Sequence, residues 1–308
     1  MTKQIVEYDA ANKELSTLTD FMRWGASRFV DAELSYSHGM SSPLDESVYL
    51  VLRALNLPVD TPNVYWQSKV TDTEKHAIVA LLKRRIEERV PAAYLTKEGW
   101  FAGLQFFIDE RVLVPRSPIA ELVENQFQPW VMPDEVENIL DLCTGSGCIG
   151  IACAYAFPYA EVDLADLSED ALDVARINIE KHDASEQITA IQSDLFSNIG
   201  QRRYDIIVTN PPYVDKDDID GMSDEFHHEP ELGLSSGNDG LDCTRQILAQ
   251  ASEYLNDEGI LVVEVGNSQH ALVQEFPQVP FQWIEFERGG DGVFMLTKQQ
   301  LQEFITKN

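Results

Sequence analysis

Residues 138–150 read Asn138-Ile139-Leu140-Asp141-Leu142-Cys143-Thr144-Gly145-Ser146-Gly147-Cys148-Ile149-Gly150, and the change of character along this stretch decides the fold. The apolar residues up to Leu142 make a short buried strand, the glycines a turn, and the apolar run through Phe157 a helix. Glycine has no Cβ to stand between a turn and a bound molecule, so a strand that passes through Gly145 and Gly147 into a helix cradles a small ligand. Which ligand stays open on spacing alone, since Gly145, Gly147 and Gly150 also complete the G-x-G-x-x-G pattern of a dinucleotide site.

Working outward, short apolar segments recur near 137–142, 160–166, 187–192, 204–209 and 259–265, with helical stretches such as 168–182 between several of them. That alternation predicts an α/β sheet with helices on both faces. The second strand ends in Asp166, about twenty residues beyond the glycine turn, where a carboxylate accepts from both hydroxyls of a ribose. Asp141, just before the loop, favours S-adenosylmethionine over a dinucleotide, because a sulfonium and an ammonium benefit from a nearby carboxylate. The third strand leads into Ser193-Asp194-Leu195-Phe196, where Asp194 is placed to accept from an adenine amine and Leu195 to lie against the ring. The plainer reading of Asp194 is a helix cap.

The fourth strand ends in Asn210-Pro211-Pro212-Tyr213. Two successive prolines withhold two N–H groups and stiffen the turn, so the preceding carbonyls stay free and fixed in direction. The Asn210 side-chain oxygen and the Pro211 carbonyl each accept one hydrogen of a substrate NH2, and Tyr213 offers a ring to the planar group behind it. An amide nitrogen is a poor nucleophile because its lone pair is delocalised, as in the peptide bond. Acceptors on both hydrogens favour rehybridisation, and they strengthen as positive charge develops in the transition state.

Residues 1–92 carry helical periodicity, with Leu15, Leu18, Phe21, Met22, Gly25 and Phe29 at three- and four-residue spacing. A second helix is expected over 43–55, and a third from Thr71, whose partner Glu74 completes a capping box, to Arg89. The aromatic and β-branched residues of 99–114 around Asp109-Glu110 predict a β-hairpin joining the domains, and 281–287 with 292–297 predict an antiparallel pair. The expected organisation is therefore a helical substrate-recognition domain, 1–92, a hairpin linker, 93–116, and a ligand-binding α/β domain, 117–308.

His38 and His76 lack a partner cluster and read as packing or surface residues, and His227-His228-Glu229 reads as a substrate loop rather than a metal site. No metal is expected. Cys143, Cys148, Cys153 and Cys243 show no C-x-x-C pairing and are expected to be reduced thiols. No apolar run reaches the roughly eighteen residues of a membrane helix and the N-terminus has no signal-peptide centre, so a cytoplasmic enzyme away from membranes is expected. The formal charge of −29 repels free DNA and attracts basic partners; an organism that keeps all its soluble proteins acidic would produce the same charge.

Over about its last 210 residues the chain resembles the class I methyltransferases that bear the NPPY motif, with a Rossmann-like sheet, and within them the protein-glutamine methyltransferases. The resemblance rests on D-L-C-T-G-S-G from Asp141, V-P-R-S-P-I-A-E from Val114, H-E-P-E-L-G-L from His228, S-G-N-D-G-L-D from Ser236, R-G-G-D-G-V-F from Arg288, and NPPY. It points to the PrmB-type branch, which acts on a glutamine of the third protein of the large ribosomal subunit. The sister branch, which acts on translation termination factors, typically has R-P-[DE]-T-E where this chain has Arg116-Ser117-Pro118-Ile119-Ala120-Glu121. The resemblance implies that Cys143, Thr144, Gly145, Ser146, Gly147 and Asp166 bind S-adenosyl-L-methionine, that Leu195 covers the adenine, and that Asn210, Pro211, Pro212 and Tyr213 hold the glutamine amide. It also places Arg116 and Glu121 near the cleft without giving them roles.

Two rival readings follow the same residues. An adenine amine is also planar and conjugated, so NPPY would serve nucleic-acid methylation, but 23 basic against 52 acidic residues offer no basic stripe to hold it. A ribosome-assembly factor that only binds would have no need of an intact NPPY. The expected substrate is a free or assembling basic ribosomal protein, attracted by the negative charge and recognised largely by the helical domain.

Overall fold

A computed structural model of the chain describes residues 8–36, 38–40, 42–215 and 221–304. Backbone contacts divide it into two units, Met1–Glu98 with Ser223–His228, and Gly99–Met222 with Glu229–Asn308. The helical unit thus runs past residue 92 and takes in a short piece of chain from beyond NPPY.

In the helical unit the principal helices are α1 (Tyr8–Glu14), α2 (Leu18–Asp31), α3 (Pro43–Ala54) and α4 (Asp72–Glu87). Their starts are set locally. Thr17 with Asp20 and Thr71 with Glu74 form reciprocal capping boxes, and Ser42 caps α3 with Pro43 in its first turn. Phe21, Phe29, Leu50, Leu52, Ile78 and Leu82 are completely buried between the helices. Gly25 is required for close approach, since a Cβ there would stand 2.3 Å from the Ser47 hydroxyl. A cluster of charge lies within this core. Arg85, 1% exposed, donates from Nε to Glu46 at 2.7 Å, from Nη1 to Glu225 at 3.1 Å, and from Nη2 to the Ser35 carbonyl at 2.7 Å. Glu225, fully buried, also accepts from the Ser35 N–H at 3.0 Å and from Arg89 at 3.2 Å. His38 packs its ring 4.5 Å from that of Phe226, and His76 is exposed.

The second unit opens with a hairpin, β1 (Glu98–Phe101) and β2 (Leu104–Phe107). Its turn is Ala102-Gly103, at φ of 46° and 75°, and not the expected Asp109-Glu110. Two positive φ values are what a tight two-residue hairpin loop demands. Asp109 instead makes a local turn after the strand, its carboxylate held by Arg111 at 2.7 and 2.8 Å.

The main sheet contains β3 (Asn138–Leu142), β4 (Glu161–Asp166), β5 (Ile188–Gln192), β6 (Tyr204–Thr209), β7 (Leu255–Glu264), β8 (Gln282–Trp283) and β9 (Val293–Thr297), in the order β5-β4-β3-β6-β7-β9-β8. The first five run parallel and β9 is inserted antiparallel beside β7. Leu140, Ile207, Leu261 and Phe294 are fully buried in its core. The expected strand 281–287 shrinks to Gln282-Trp283, paired antiparallel with Met295 and Phe294. The chain leaves β3 to one side and returns to its other side at β6, so the strand order reverses between them. The carboxyl ends of β3 and β6 flank the crevice where a doubly wound sheet takes its ligand.

Candidate active site

The glycine loop follows β3, and its conformation is set by charge and packing as much as by glycine. Asp141, with no exposed surface, accepts on Oδ2 from the Thr144 hydroxyl at 2.5 Å and the Gly150 N–H at 2.9 Å. Its Oδ1 is buried with no hydrogen-bond partner among the described residues. Burial pushes this carboxyl up to about 7, against the pull of the two hydrogen bonds. The glycines divide the work: a Cβ at Gly145 would meet nothing, so the loop opens onto free space there, whereas a Cβ at Gly150 would stand 2.0 Å from Leu164. Gly150 is therefore a packing residue between helix and sheet.

Three of the loop's N–H groups are taken up within the protein. Thr144 donates its N–H to the Ala165 carbonyl, Gly145 to Asp166 and Gly147 to Thr144. A dinucleotide site uses such groups on a pyrophosphate. Here they close the loop on itself and onto β4, an arrangement suited to a ligand without phosphate. Cys143 adopts φ of 56°, and Ser146 is buried with its carbonyl held by the Asn178 side chain at 2.8 Å. Asn178, absent from the sequence-based site, also pairs with both backbone groups of Phe107 and so ties hairpin, helix and loop together. The four cysteines are free, and burial raises all of their thiols, which keeps them protonated.

Asp166 ends β4 with one oxygen on the Gly145 N–H and the other on the Ser168 N–H, both at 2.9 Å. Each oxygen retains a lone pair. Asp194 is exposed, and among the described residues its carboxylate makes no hydrogen bond; a turn rather than a helix follows it, closed by Ser193, whose hydroxyl accepts from the Asn198 N–H at 2.9 Å and donates to the Leu195 carbonyl at 2.6 Å. Leu195 adopts φ of 46° and is 8% exposed within the core cluster, so it offers a ligand only a small apolar face.

NPPY follows β6 directly. Asn210 is half-buried, and its side-chain amide makes no hydrogen bond among the described residues; Pro211 is buried. Tyr213 is held at three points. Its hydroxyl donates to Glu264 at 3.1 Å, its carbonyl accepts from the Ser268 hydroxyl at 2.8 Å, and its ring lies against Gly266, where a Cβ would stand 2.6 Å from the ring edge. Beyond it, Val214 pairs with the Leu234 carbonyl and the Ser236 N–H, binding NPPY to the H-E-P-E-L-G-L segment.

Arg116 grips Glu229 through two nitrogens at 2.6 and 2.8 Å, and Glu229 also accepts from the Val114 N–H at 3.0 Å. That engagement of Glu229 suits the substrate-loop reading better than a metal ligand. Glu121 accepts from the Glu287 and Arg288 N–H groups, tying the R-S-P-I-A-E segment to R-G-G-D-G. Glu264 and Ser117, whose hydroxyl donates to Glu264 at 2.5 Å, went unassigned in the sequence. A signal existed: Glu264 is a lone carboxylate in the apolar run Leu261-Val262-Val263-Glu264-Val265.

A family profile described as the methyltransferase small domain matches residues 127–237. The chain is 47% identical over 305 residues, 99% of its length and 97% of the relative's, to a Francisella tularensis protein named ribosomal protein uL3 glutamine methyltransferase. A Neisseria gonorrhoeae protein of the same name is 47% identical over 296 residues, 96% of this chain and 98% of the relative.

Proposed function

The chain belongs to the family of ribosomal protein uL3 glutamine methyltransferases, and from that premise we propose that it transfers a methyl group from S-adenosylmethionine to the side-chain amide nitrogen of a glutamine in uL3. The observation that carries the reading at the level of the site is the pairing of two loops. The closed glycine loop follows β3 and NPPY follows β6, at adjoining strand ends of the switch point.

The residues fit the cofactor. The buried Asp141 Oδ1 has no partner among the described residues, the space over Gly145 is open, and both Asp166 oxygens keep a lone pair for a ribose. Bound there, S-adenosylmethionine supplies an electrophilic methyl group on a sulfonium. The chain's own part is to hold the amide: Asn210 Oδ1 and the Pro211 carbonyl accept its two hydrogens, and Pro212 stiffens the turn. Tyr213 forms a wall for the amide plane. As nitrogen bonds to the methyl carbon and the carbon–sulfur bond breaks, the two acceptors face a nitrogen growing positive and stabilise it more than they do the ground state. The nitrogen then releases one proton to solvent and the product is a neutral N-methyl amide.

The substrate is met in the cytoplasm as a free or assembling protein, because a charge of −29 attracts basic uL3 and repels it once ribosomal RNA surrounds it. Purified enzyme and methyl-labelled cofactor, offered isolated uL3, mature large subunits and termination factors in parallel, test this. Label on uL3 alone is expected. Preferential label on a termination factor would overturn the choice of substrate, and efficient label on mature subunits would overturn the charge argument.

A further inference from the structure

Glu264 ends β7 in a place where an apolar residue would be the ordinary choice: Leu261, Val262, Val263 and Val265 have no exposed surface, and Glu264 itself is 5% exposed. A carboxylate so buried is costly to desolvate, and burial pushes its pKa up. Its partners are two hydroxyls from separate segments, Ser117 on Oε2 at 2.5 Å and Tyr213 on Oε1 at 3.1 Å. A mere tie between β7 and the 117 loop would need only the first of these bonds.

The second bond ends on the tyrosine of NPPY. The Tyr213 carbonyl is held by Ser268 and one edge of its ring, out to Cζ, lies against Gly266, which limits the ring's tilt. The hydroxyl bond to Glu264 adds a fixed point at the tip, on the ring's long axis, and so sets the direction in which the ring points. We propose that Glu264 is a positioning residue for methyl transfer: it fixes the Tyr213 ring as the wall on which the glutamine amide lies, while Ser117 satisfies its other oxygen. The proposal rests on the reading of Asn210–Tyr213 as the amide site. It gives Ser117 a role as well, since a hydroxyl at that position lets the carboxylate stay buried with both oxygens satisfied.

The test is a double-mutant cycle on the full chain with uL3 as substrate. Glu264→Val continues the run of valines and removes the acceptor; kcat/KM is expected to fall about tenfold, with cofactor affinity unchanged within about twofold. Glu264→Gln, which keeps an oxygen at the same reach, is expected to restore most of the loss. In a Tyr213→Phe background Glu264→Val should add almost nothing, because the hydroxyl through which it acts is gone. An equal loss in both backgrounds, or a parallel loss of cofactor affinity, would show that Glu264 acts on the fold and would overturn the proposal. A readout without substrate keeps this separate from the function itself: in protein labelled with 13C at the tyrosine Cζ, the Tyr213 resonance should move in Glu264→Val, and in Glu264→Gln should Glu264→Val not fold. If the wild type labels no uL3, the reading of the function fails while the resonance still decides the Tyr213 contact. If it labels uL3 and the resonance stays put, the positioning role alone fails.

Discussion

Residues 1–98 hold 12 Lys and Arg against 14 Asp and Glu, a balance of −2, whereas residues 99–308 hold 11 against 38, a balance of −27. The helical part is nearly neutral and buries charge in pairs, as at Arg85 with Glu46 and Glu225; the catalytic part carries almost the whole negative field. The charge expected to attract a basic partner is thus carried by residues 99–308 and not by the helical part expected to recognise it. On the proposed function, long-range attraction of uL3 falls to residues 99–308 and discrimination at short range to the helical part.

The largest effect is expected in the helical unit and on stability alone. Arg85→Met leaves Glu46 buried without its cation and Glu225 with Arg89 alone, and breaking a buried pair typically costs about 3–5 kcal/mol of unfolding free energy, measurable by urea denaturation at neutral pH. The wild-type pair is balanced. Burial pushes Glu46 up despite Arg85, while Glu225, burial notwithstanding, is held low by the Ser35 N–H and by Arg85. Without Arg85 nothing offsets the burial that raises Glu46. A carboxyl raised in the folded state destabilises it as pH climbs through and above the carboxylate range, so the deficit should be smaller at pH 5 than at pH 8. Cofactor affinity of the folded variant should equal that of the wild type; a shift there would break the separation between the units.

Next in size is the chemistry of the second unit. Asn210→Ala removes an acceptor that strengthens in the transition state, and turnover should fall about a hundredfold with cofactor dissociation little changed. Asp166→Ala should weaken cofactor binding first. Equal effects of the two substitutions on cofactor dissociation, with turnover of bound cofactor intact, would remove the distinction between the loops.

Asp141 provides a smaller, pH-dependent effect. Its carboxyl is pushed up to about 7 by burial, so without ligand the fold is favoured by the protonated form, and stability declines as pH rises from the usual carboxylate range toward 7. A cationic ligand prefers the ionised form. Cofactor affinity, followed by calorimetry, should therefore rise about tenfold between pH 6 and pH 8, and the rise should vanish in Asp141→Asn. A pH-independent affinity in the wild type would mean that Asp141 serves only Thr144 and Gly150.

How much of this was legible in the sequence depends on the range of the interactions. The strands β3 to β7 and the capped helices were readable because apolar periodicity and capping chemistry are local. The hairpin turn was misplaced because polarity at Asp109-Glu110 drew attention from Ala102-Gly103, where a non-glycine residue takes the left-handed conformation. Asp194 caps nothing, because the chain beyond it forms a turn and not a helix, closed by the Ser193 hydroxyl. The long-range bonds were out of reach: in the site Arg116 meets Glu229 across 113 residues and Ser117 meets Glu264 across 147, and in the helical core Arg85 meets Glu225 across 140. No local pattern encodes such a pairing. Only the oddity of a charge in an apolar run points to it, and it names one partner at most.

The smallest predicted effect bears on the comparison most directly. If the −27 of residues 99–308 steers uL3 toward the enzyme, the second-order rate constant for uL3 should fall severalfold as ionic strength rises from about 0.01 M to about 0.15 M, where the screening length shrinks from roughly 30 Å to roughly 8 Å. The loss should lie in association and leave kcat at saturating uL3 unchanged, because the amide acceptors are neutral oxygens that salt does not screen. Stopped-flow binding with fluorescently labelled uL3 separates the two. A dissociation rate that carries the whole salt dependence would place the charged contacts at short range inside the bound complex, and the acidity of the catalytic part would then act in recognition itself.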